Sequence, residues 1–96
     1  MAAFDISKFD NLFLAVTKLN TLEEARKFFE DVCTIKELEA ISQRIEVAKL
    51  LSDGKNYQDV SRMVGASTAT ISRVSKCLNY GAGGYRLILE SEDKPK

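Results

Sequence analysis

The run YQDVSRMVGASTATISRVSK, from Tyr57 to Lys76, has the pattern of two short helices joined by a tight turn. Gly65 stands between the two, and glycine readily adopts the left-handed backbone conformation that such a turn requires. Ser61, four residues earlier, is small enough to let the second helix approach the first closely. Apolar residues stand one and five positions before the glycine and one, six and nine positions after it, a spacing typical of the helix-turn-helix: Val60, Val64, Ala66, Ile71 and Val74. A helical corner that serves packing alone remains an alternative.

The charges of the chain are unevenly distributed, although they sum to zero. Residues 1–53 carry seven basic and ten acidic side chains, whereas residues 54–86 carry five basic side chains and one acidic side chain. The remaining residues, 87–96, have a net charge of −1. A basic segment joined to an acidic scaffold indicates an anionic partner for that segment. On charge alone, an uneven spread of solvated side chains would also explain the pattern.

The second helix of the motif has the chemistry of a DNA-reading helix. If Ile71 is buried, the first turn presents short hydroxyl and methyl side chains, and a recognition helix turns this end toward base edges. Hydroxyls bond bases directly or through water, and methyl groups contact the thymine methyl. Basic side chains nearby contact phosphates, which supply affinity without sequence information. The predicted DNA-binding residues are Lys55, Gln58, Arg62, Ser67, Thr68, Ala69, Thr70, Ser72, Arg73 and Lys76. None is an Arg or Asn placed for an obvious bidentate base contact, so readout through water or DNA shape is expected.

Composition and apolar spacing predict an all-α protein. The chain has one Pro, five Gly and little alternation of β-branched residues. Apolar side chains on one face predict a first helix near the N-terminus. Capping-box patterns pair Thr21 with Glu24 and Thr34 with Glu37, so these residues should begin the second and third helices.

The later helices are also marked by caps and stops. The second helix should bury Leu22, Ala25, Phe28, Phe29 and Val32. The third should be the longest, with an apolar stripe of Leu38, Ile41, Ile45, Ala48 and Leu51. Gly54 is a suitable stop for it, and Asn56 and Ser67 are expected to cap a fourth and a fifth helix. Residues 80–84, YGAGG, form a hinge before a last short helix and a tail.

The sequence carries no sign of catalytic chemistry. It has no His, no cluster with metal-ligand spacing, no phosphate-binding glycine loop and no nucleophile–base pair. Cys33 and Cys77 lack paired spacing and are expected to be reduced and partly buried. Apolar stretches are too short to span a membrane, and the N-terminal residues do not match a secretory signal. We therefore predict a cytoplasmic protein that is not an enzyme and has no metal site, no cofactor and no membrane association.

The segments FFEDVCTIKELEAISQRIEVAKLLSDG and GASTATISR together resemble the tryptophan repressor superfamily, from about Phe28 to Tyr80. The resemblance covers over half of the chain. The positions in register are Thr34, Arg44, the leucines at 50–51, Gly54, Gly65, Ala66, the residues of the AT-I motif at 69–71, and Arg73. The ending CLNYGAGGYR is similar to that of a tryptophan-repressor-like branch of Gram-positive bacteria.

This resemblance implies an intertwined, all-helical homodimer in which each chain, residues 1–96, is a single domain. Residues 1–54 would form the helical dimerisation core, residues 55–80 the helix-turn-helix, and residues 81–96 a glycine hinge, a short helix and a tail. The implied function is a sequence-specific transcriptional regulator, expected to be a repressor, that binds double-stranded DNA as a dimer through two successive major grooves. The alternative is a helical protein-interaction module whose basic corner holds a protein or another anionic partner. Salt dependence separates the two, because phosphate contacts weaken steeply with added salt.

The resemblance also implies an effector pocket. Two arginines enclose the amino-acid corepressor in the tryptophan repressors, and their positions correspond to Arg44 and Arg73. Neither has a carboxylate three or four residues away on its own helix, so another helix, a phosphate, a bound anion or solvent must match each charge. The repressors have glycine at the position of Val74 and serine at that of Cys77. Because the branched Val74 would fill the space of the indole ring, the predicted effector pocket of Arg44, Arg73, Val74 and Cys77 is not expected to take tryptophan. We expect another small-molecule effector or none.

Overall fold

The computed structural model of the protein describes the backbone of residues 4–92 and the side chains of residues 4–90. Throughout that part of the chain the regular structure is helical, which confirms the predicted all-α class. A short 3₁₀ helix covers Ile6–Phe9. The α-helices follow in this order: α1 (Asp10–Thr17), α2 (Leu22–Val32), α3 (Ile35–Ser52), α4 (Tyr57–Val64), α5 (Thr68–Tyr80) and α6 (Gly84–Glu92).

Side-chain caps begin helices where the sequence predicts them. At the start of α2, the Thr21 hydroxyl oxygen accepts a hydrogen bond from the Glu24 backbone N–H (3.1 Å). The Glu24 carboxylate accepts from the backbone N–H of Asn20 (2.8 Å), one residue before the cap, so the capping box is slightly extended. At the start of α4, the Asn56 side chain accepts from the Asp59 N–H at 2.8 Å. These bonds satisfy amides that the first turn of a helix leaves unpaired.

Gly54 ends α3, as predicted from its sequence position. Its φ of 94° lies in the left-handed region, which residues with a Cβ rarely adopt. The Gly54 N–H donates to the Leu51 carbonyl (3.0 Å) and the Lys55 N–H donates to the Leu50 carbonyl (3.1 Å). This pair of bonds is the Schellman arrangement, and it turns the chain from α3 toward α4.

The chain divides into two compact units, one up to Ile35 and one from Lys36 onward. In the first unit no described residue is buried. The α2 face that the sequence predicts to be buried is only half-buried at Ala25, Phe28 and Phe29. It is open at Leu22 and Val32, which are 67% and 55% exposed. The prediction therefore fails within the single chain, because the short helices of this unit enclose no interior of their own.

The second unit has a continuous core. It is formed by the C-terminal half of α3, the α4–α5 pair and the turn between them: Val47, Ala48, Leu50, Val60, Ala66, Ile71 and Val74. Leu51, Val64, Tyr85 and Leu89 are partly buried against it, so α6 belongs to the same packing. The predicted stripe on α3 is confirmed only in this half, because Ile41 and Ile45 remain exposed.

Candidate nucleic-acid interface

The turn between α4 and α5 is built around Gly65. Its φ of 80° is left-handed, and its N–H donates to the Ser61 carbonyl at 2.8 Å, which closes the last turn of α4. The Ser61 hydroxyl in turn donates to the Ala66 carbonyl at 3.0 Å in partly buried surroundings. The sequence predicts that Ser61 is small enough for the two helices to approach closely, but it does not reveal this hydrogen bond. The serine therefore both permits the close approach and satisfies a carbonyl of the turn.

The apolar positions of the motif pack as the helix-turn-helix pattern predicts. Val60, Ala66, Ile71 and Val74 are buried, and Val64 is half-buried. Leu78, one turn beyond Val74, is buried as well. With one face of α5 held in the core, the opposite face is necessarily turned toward solvent.

The first turn of α5 is capped by Ser67. Its hydroxyl oxygen accepts from the Thr70 backbone N–H at 3.2 Å and donates to the Thr70 hydroxyl oxygen at 3.1 Å. Thr70 is half-buried, whereas Thr68, Ala69 and Ser72 are exposed. The Thr70 hydroxyl is thus engaged in the cap, and Thr68 is the exposed threonine of this turn.

The predicted phosphate-binding side chains all lie on the surface of the second unit. Lys55, Arg73 and Lys76 are exposed, and none forms an ion pair with another described residue. Arg62 differs, because its guanidinium pairs with the Asp59 carboxylate one turn earlier on α4. The pair is exposed, so it contributes little and a phosphate can compete for the guanidinium. Gln58, the remaining predicted contact on α4, is exposed.

Two glycines turn the chain from α5 back toward the core. The Gly81 N–H donates to the Cys77 carbonyl at 2.8 Å, and a Cβ at Gly81 would lie 2.4 Å from that carbonyl oxygen. Gly83 has a left-handed φ of 93°. The close approach at the first position and the backbone conformation at the second both favour glycine. The predicted hinge is narrower than YGAGG, because Tyr80 ends α5 and Gly84 begins α6.

The predicted effector-pocket residues lie on α3 and α5. Arg44 and Arg73 are exposed, and neither has a hydrogen bond or ion pair with another described residue. Val74 is only 1% exposed and belongs to the core. Cys33 is half-buried, but Cys77 is exposed, which corrects the prediction that both thiols are partly buried.

Tyr85 on α6 is the residue that sequence reasoning missed in this region. Burial raises the pKa of its phenol above the ordinary value of 10.0, and the negative charge of an ionised Cys77 acts in the same direction. The positive charges of Arg44 and Arg73 lower the pKa and partly offset that effect. The phenol is therefore within electrostatic reach of three of the four predicted pocket residues. The glycine-rich hinge, which lets α6 fold back, was the available sequence signal.

A cavity of about 370 Å³ lies between α3, α5 and α6. Its lining is mostly apolar: Ile45, Cys77, Gly81, Ala82, Gly84, Tyr85, Ile88 and Leu89. Tyr85 forms part of its wall opposite residues of α3 and α5. The side chains that the structure describes include no cluster that could hold a metal ion. Between residues 4 and 92, no helix combines the length and the apolar character needed to cross a bilayer.

A left-handed glycine between two short helices, a buried inner face and an exposed cationic outer face define a helix-turn-helix protein. The chain belongs to the Trp repressor family, because the family model for the Trp repressor protein matches residues 7–93. Members of this family are DNA-binding regulators and not enzymes. Both the predicted family and the predicted non-enzymatic class are thereby confirmed.

Several known proteins are similar to the chain over most of its length. Uncharacterized protein YerC of Bacillus subtilis (strain 168) is 48% identical over 81 residues, which span 84% of this chain and 78% of that protein. A TrpR-like protein from Eubacterium eligens ATCC 27750 has a crystal structure with a TM-score of 0.85 and 47% identity, covering 96% of this chain and 95% of that one. The crystal structure of a candidate Trp repressor from Staphylococcus aureus has a TM-score of 0.85 and 39% identity, covering 96% of this chain and 92% of that one.

Replacing Gly65 with Ala should lower the free energy of unfolding by about 1–2 kcal/mol, the usual penalty of a left-handed residue with a Cβ. No atom lies within 4 Å of the Cβ that would be added, so the loss reports backbone conformation and not a clash. Urea unfolding measures this loss of stability. Gly84→Ala is the matched control, because it also enters open space but without a left-handed φ. Equal stability of the two variants would contradict the role assigned to the turn.

The raised pKa of Tyr85 predicts a specific loss of stability at alkaline pH. The folded state favours the neutral phenol, so its contribution is complete below the ordinary pKa of 10.0 and decreases as the pH rises through the folded-state value. Urea unfolding of the wild type and of Tyr85→Phe, compared from pH 8 to pH 11, isolates this contribution from other titrating groups. The wild type should lose stability relative to the variant above pH 10. A constant difference across the range would show that the phenol does not titrate differently in the folded state.

Proposed function

We propose that the chain is a transcriptional repressor that binds specific sites on double-stranded DNA as a homodimer. The observation that carries this proposal is the position of α5. Its inner face is buried through Ile71, Val74 and Leu78, while its first turn and cationic side are exposed. A helix held in this way can enter a major groove without any rearrangement of the chain.

The exposed residues divide into two groups by chemistry. Thr68, Ala69 and Ser72 offer short hydroxyl and methyl groups to base edges. Lys76 and Arg73 are positioned on the same helix for phosphates, with Lys55 and Arg62 as further cations on or before α4. The backbone amides and partial positive charge at the N-terminus of α5 would add to the attraction for a phosphate.

The first unit supports the homodimer. Nine of its large apolar side chains are each at least 38% exposed: Phe4, Ile6, Phe9, Leu12, Phe13, Leu14, Leu22, Val32 and Ile35. Stable monomers rarely leave so many apolar side chains uncovered, and a second copy is the partner that closed two-fold symmetry supplies. A two-fold particle also carries two recognition helices, which is how helix-turn-helix dimers read two half-sites.

Tryptophan is not the effector under this proposal. Val74 is part of the core, and it stands at the position where the tryptophan repressors have a glycine that leaves room for the indole ring. Binding an indole ring there would require moving a residue that packs between α3 and α5.

Selection of bound fragments from a genomic DNA library tests the function directly. The purified dimer, confirmed by light scattering, should enrich a small set of two-fold symmetric sequences. Its affinity for them should fall steeply with salt, because bound phosphates release counterions. A protein that enriches no sequence and shows no salt dependence would instead favour the protein-interaction alternative.

Lys76→Ala should weaken binding to specific and unrelated duplexes alike and reduce the slope of log affinity against log salt by about one unit. The reason is the loss of one phosphate contact that carries no base information. Fluorescence anisotropy at several salt concentrations gives the slope. Lys49→Ala removes an exposed lysine on α3 and should leave the slope unchanged. Loss of specificity with an unchanged slope would assign Lys76 to base contact instead.

Thr68→Asp should abolish sequence-specific binding while the fold is retained. A carboxylate at this exposed position would be repelled by the negatively charged phosphates, yet an acidic residue in the first turn of a helix suits the helix dipole. Anisotropy with the selected duplex measures binding, and thermal unfolding checks the fold. Ser52→Asp adds the same charge at the end of α3 as a control. Normal binding by Thr68→Asp would rule out the first turn of α5 as the reading surface.

A further inference from the structure

Tyr85 lies where α3, α5 and α6 meet. Its ring packs against the core and lines the same cavity as Ile45 of α3 and Cys77 of α5. Arg44 directly precedes Ile45 on α3, and Arg73 lies one helical turn before Cys77 on the same face of α5. The ring is therefore placed between two helices that each carry an exposed arginine.

The two arginines lack other partners within the described chain. Neither forms an ion pair or hydrogen bond there, and neither has a carboxylate one turn away on its own helix. Both positive charges act on the Tyr85 phenol and lower its pKa, which burial raises. An aromatic ring with a polar oxygen thus shares the cavity wall with Cys77 and packs against the core that includes Val74, and the chain itself supplies it.

We propose that Tyr85 is a built-in occupant of the predicted effector pocket, so that α6 holds α5 in its DNA-binding position without a small-molecule effector. This inference rests on the proposed DNA-binding function and specifies how it is controlled. Val74 is buried in the core at one of the predicted pocket positions, and Tyr85 packs against the same core from α6.

The connection between α5 and α6 is suited to this task. The close approach of Gly81 to the Cys77 carbonyl and the left-handed Gly83 reverse the chain within three residues. The reversal brings Tyr85 and Leu89 onto the core that also holds Val74. Because the ring is covalently attached, its ordering is completed during folding, and no ligand concentration enters the DNA-binding equilibrium. A free ligand would first have to displace the ring from these contacts.

Chemical rescue tests the proposal. Tyr85→Ala leaves a cavity whose missing part is phenol, and apolar cavities of this kind bind the matching small molecule. The variant should bind the selected DNA duplex about tenfold more weakly, as expected if the competent fraction falls to about a tenth. Millimolar phenol should restore the affinity and raise the melting temperature of the variant, with little effect on the wild type. Tyr80→Ala removes a tyrosine that is 86% exposed and should resemble the wild type in both assays.

Three results would overturn the proposal. One is DNA binding by Tyr85→Ala at wild-type strength without phenol. Another is equal stabilisation of wild type and variant by phenol, which would place the molecule in the existing cavity. The third is a wild type whose DNA affinity rises tenfold or more on addition of an aromatic amino acid.

Two further measurements keep the outcome interpretable. If Tyr85→Ala does not fold, Tyr85→Phe is tested in its place. This variant keeps the ring, so it should bind DNA without an effector, as the wild type does. A requirement for added phenol or amino acid in Tyr85→Phe would contradict the proposal. The melting-temperature assay uses no DNA, so rescue seen there without any DNA binding by the wild type would refute the proposed function and leave the occupancy of the pocket supported.

Discussion

The left-handed backbone at Gly65 is the constraint on which the direction of α5 depends. It lets the chain leave α4 and re-enter a helix within three residues, and the Ser61 hydroxyl fixes the turn from the other side through the Ala66 carbonyl. Once the turn is fixed, Ile71 and Val74 have one place to pack. The exposure of the outer face of α5 is therefore a consequence of the turn and the core. It does not depend on the polarity of the residues on that face.

The parts of the fold that sequence predicts well are those with local causes. Each cap joins residues no more than four positions apart, and the stop at Gly54 involves bonds across five. The helix-turn-helix spacing is equally local, which explains why the buried positions of α4 and α5 were correct. The pairing of Arg62 with Asp59 is also a one-turn interaction, and it could have been read from the sequence as a competitor for phosphate.

The remaining features depend on contacts that distant segments make. Tyr85 is separated from Arg44 by two helices, α4 and α5, and no periodicity in α6 reveals which neighbour its ring meets. The half-burial of Thr70 depends on the cap geometry at Ser67 together with the packing of Ile71 beside it. The open faces of α1 and α2 are a different case, since their apolar spacing predicts burial and the single chain leaves them exposed. What the spacing cannot give is whether the covering surface comes from the same chain or from another.

The core of the second unit couples α6 to α5. Val74 lies on α5 and Tyr85 on α6, and both pack into one cluster. Because the cluster is closely packed, displacing either side chain disturbs the packing of the other. A ligand can regulate such an arrangement only through different affinities for two states of it. When the chain itself supplies the ring, the state with the ring packed is populated whatever the concentration of free ligand. Regulation through this site would then need a molecule that competes with Tyr85 for the core, and its effect on DNA binding would be to weaken it, opposite in sign to the effect of a corepressor.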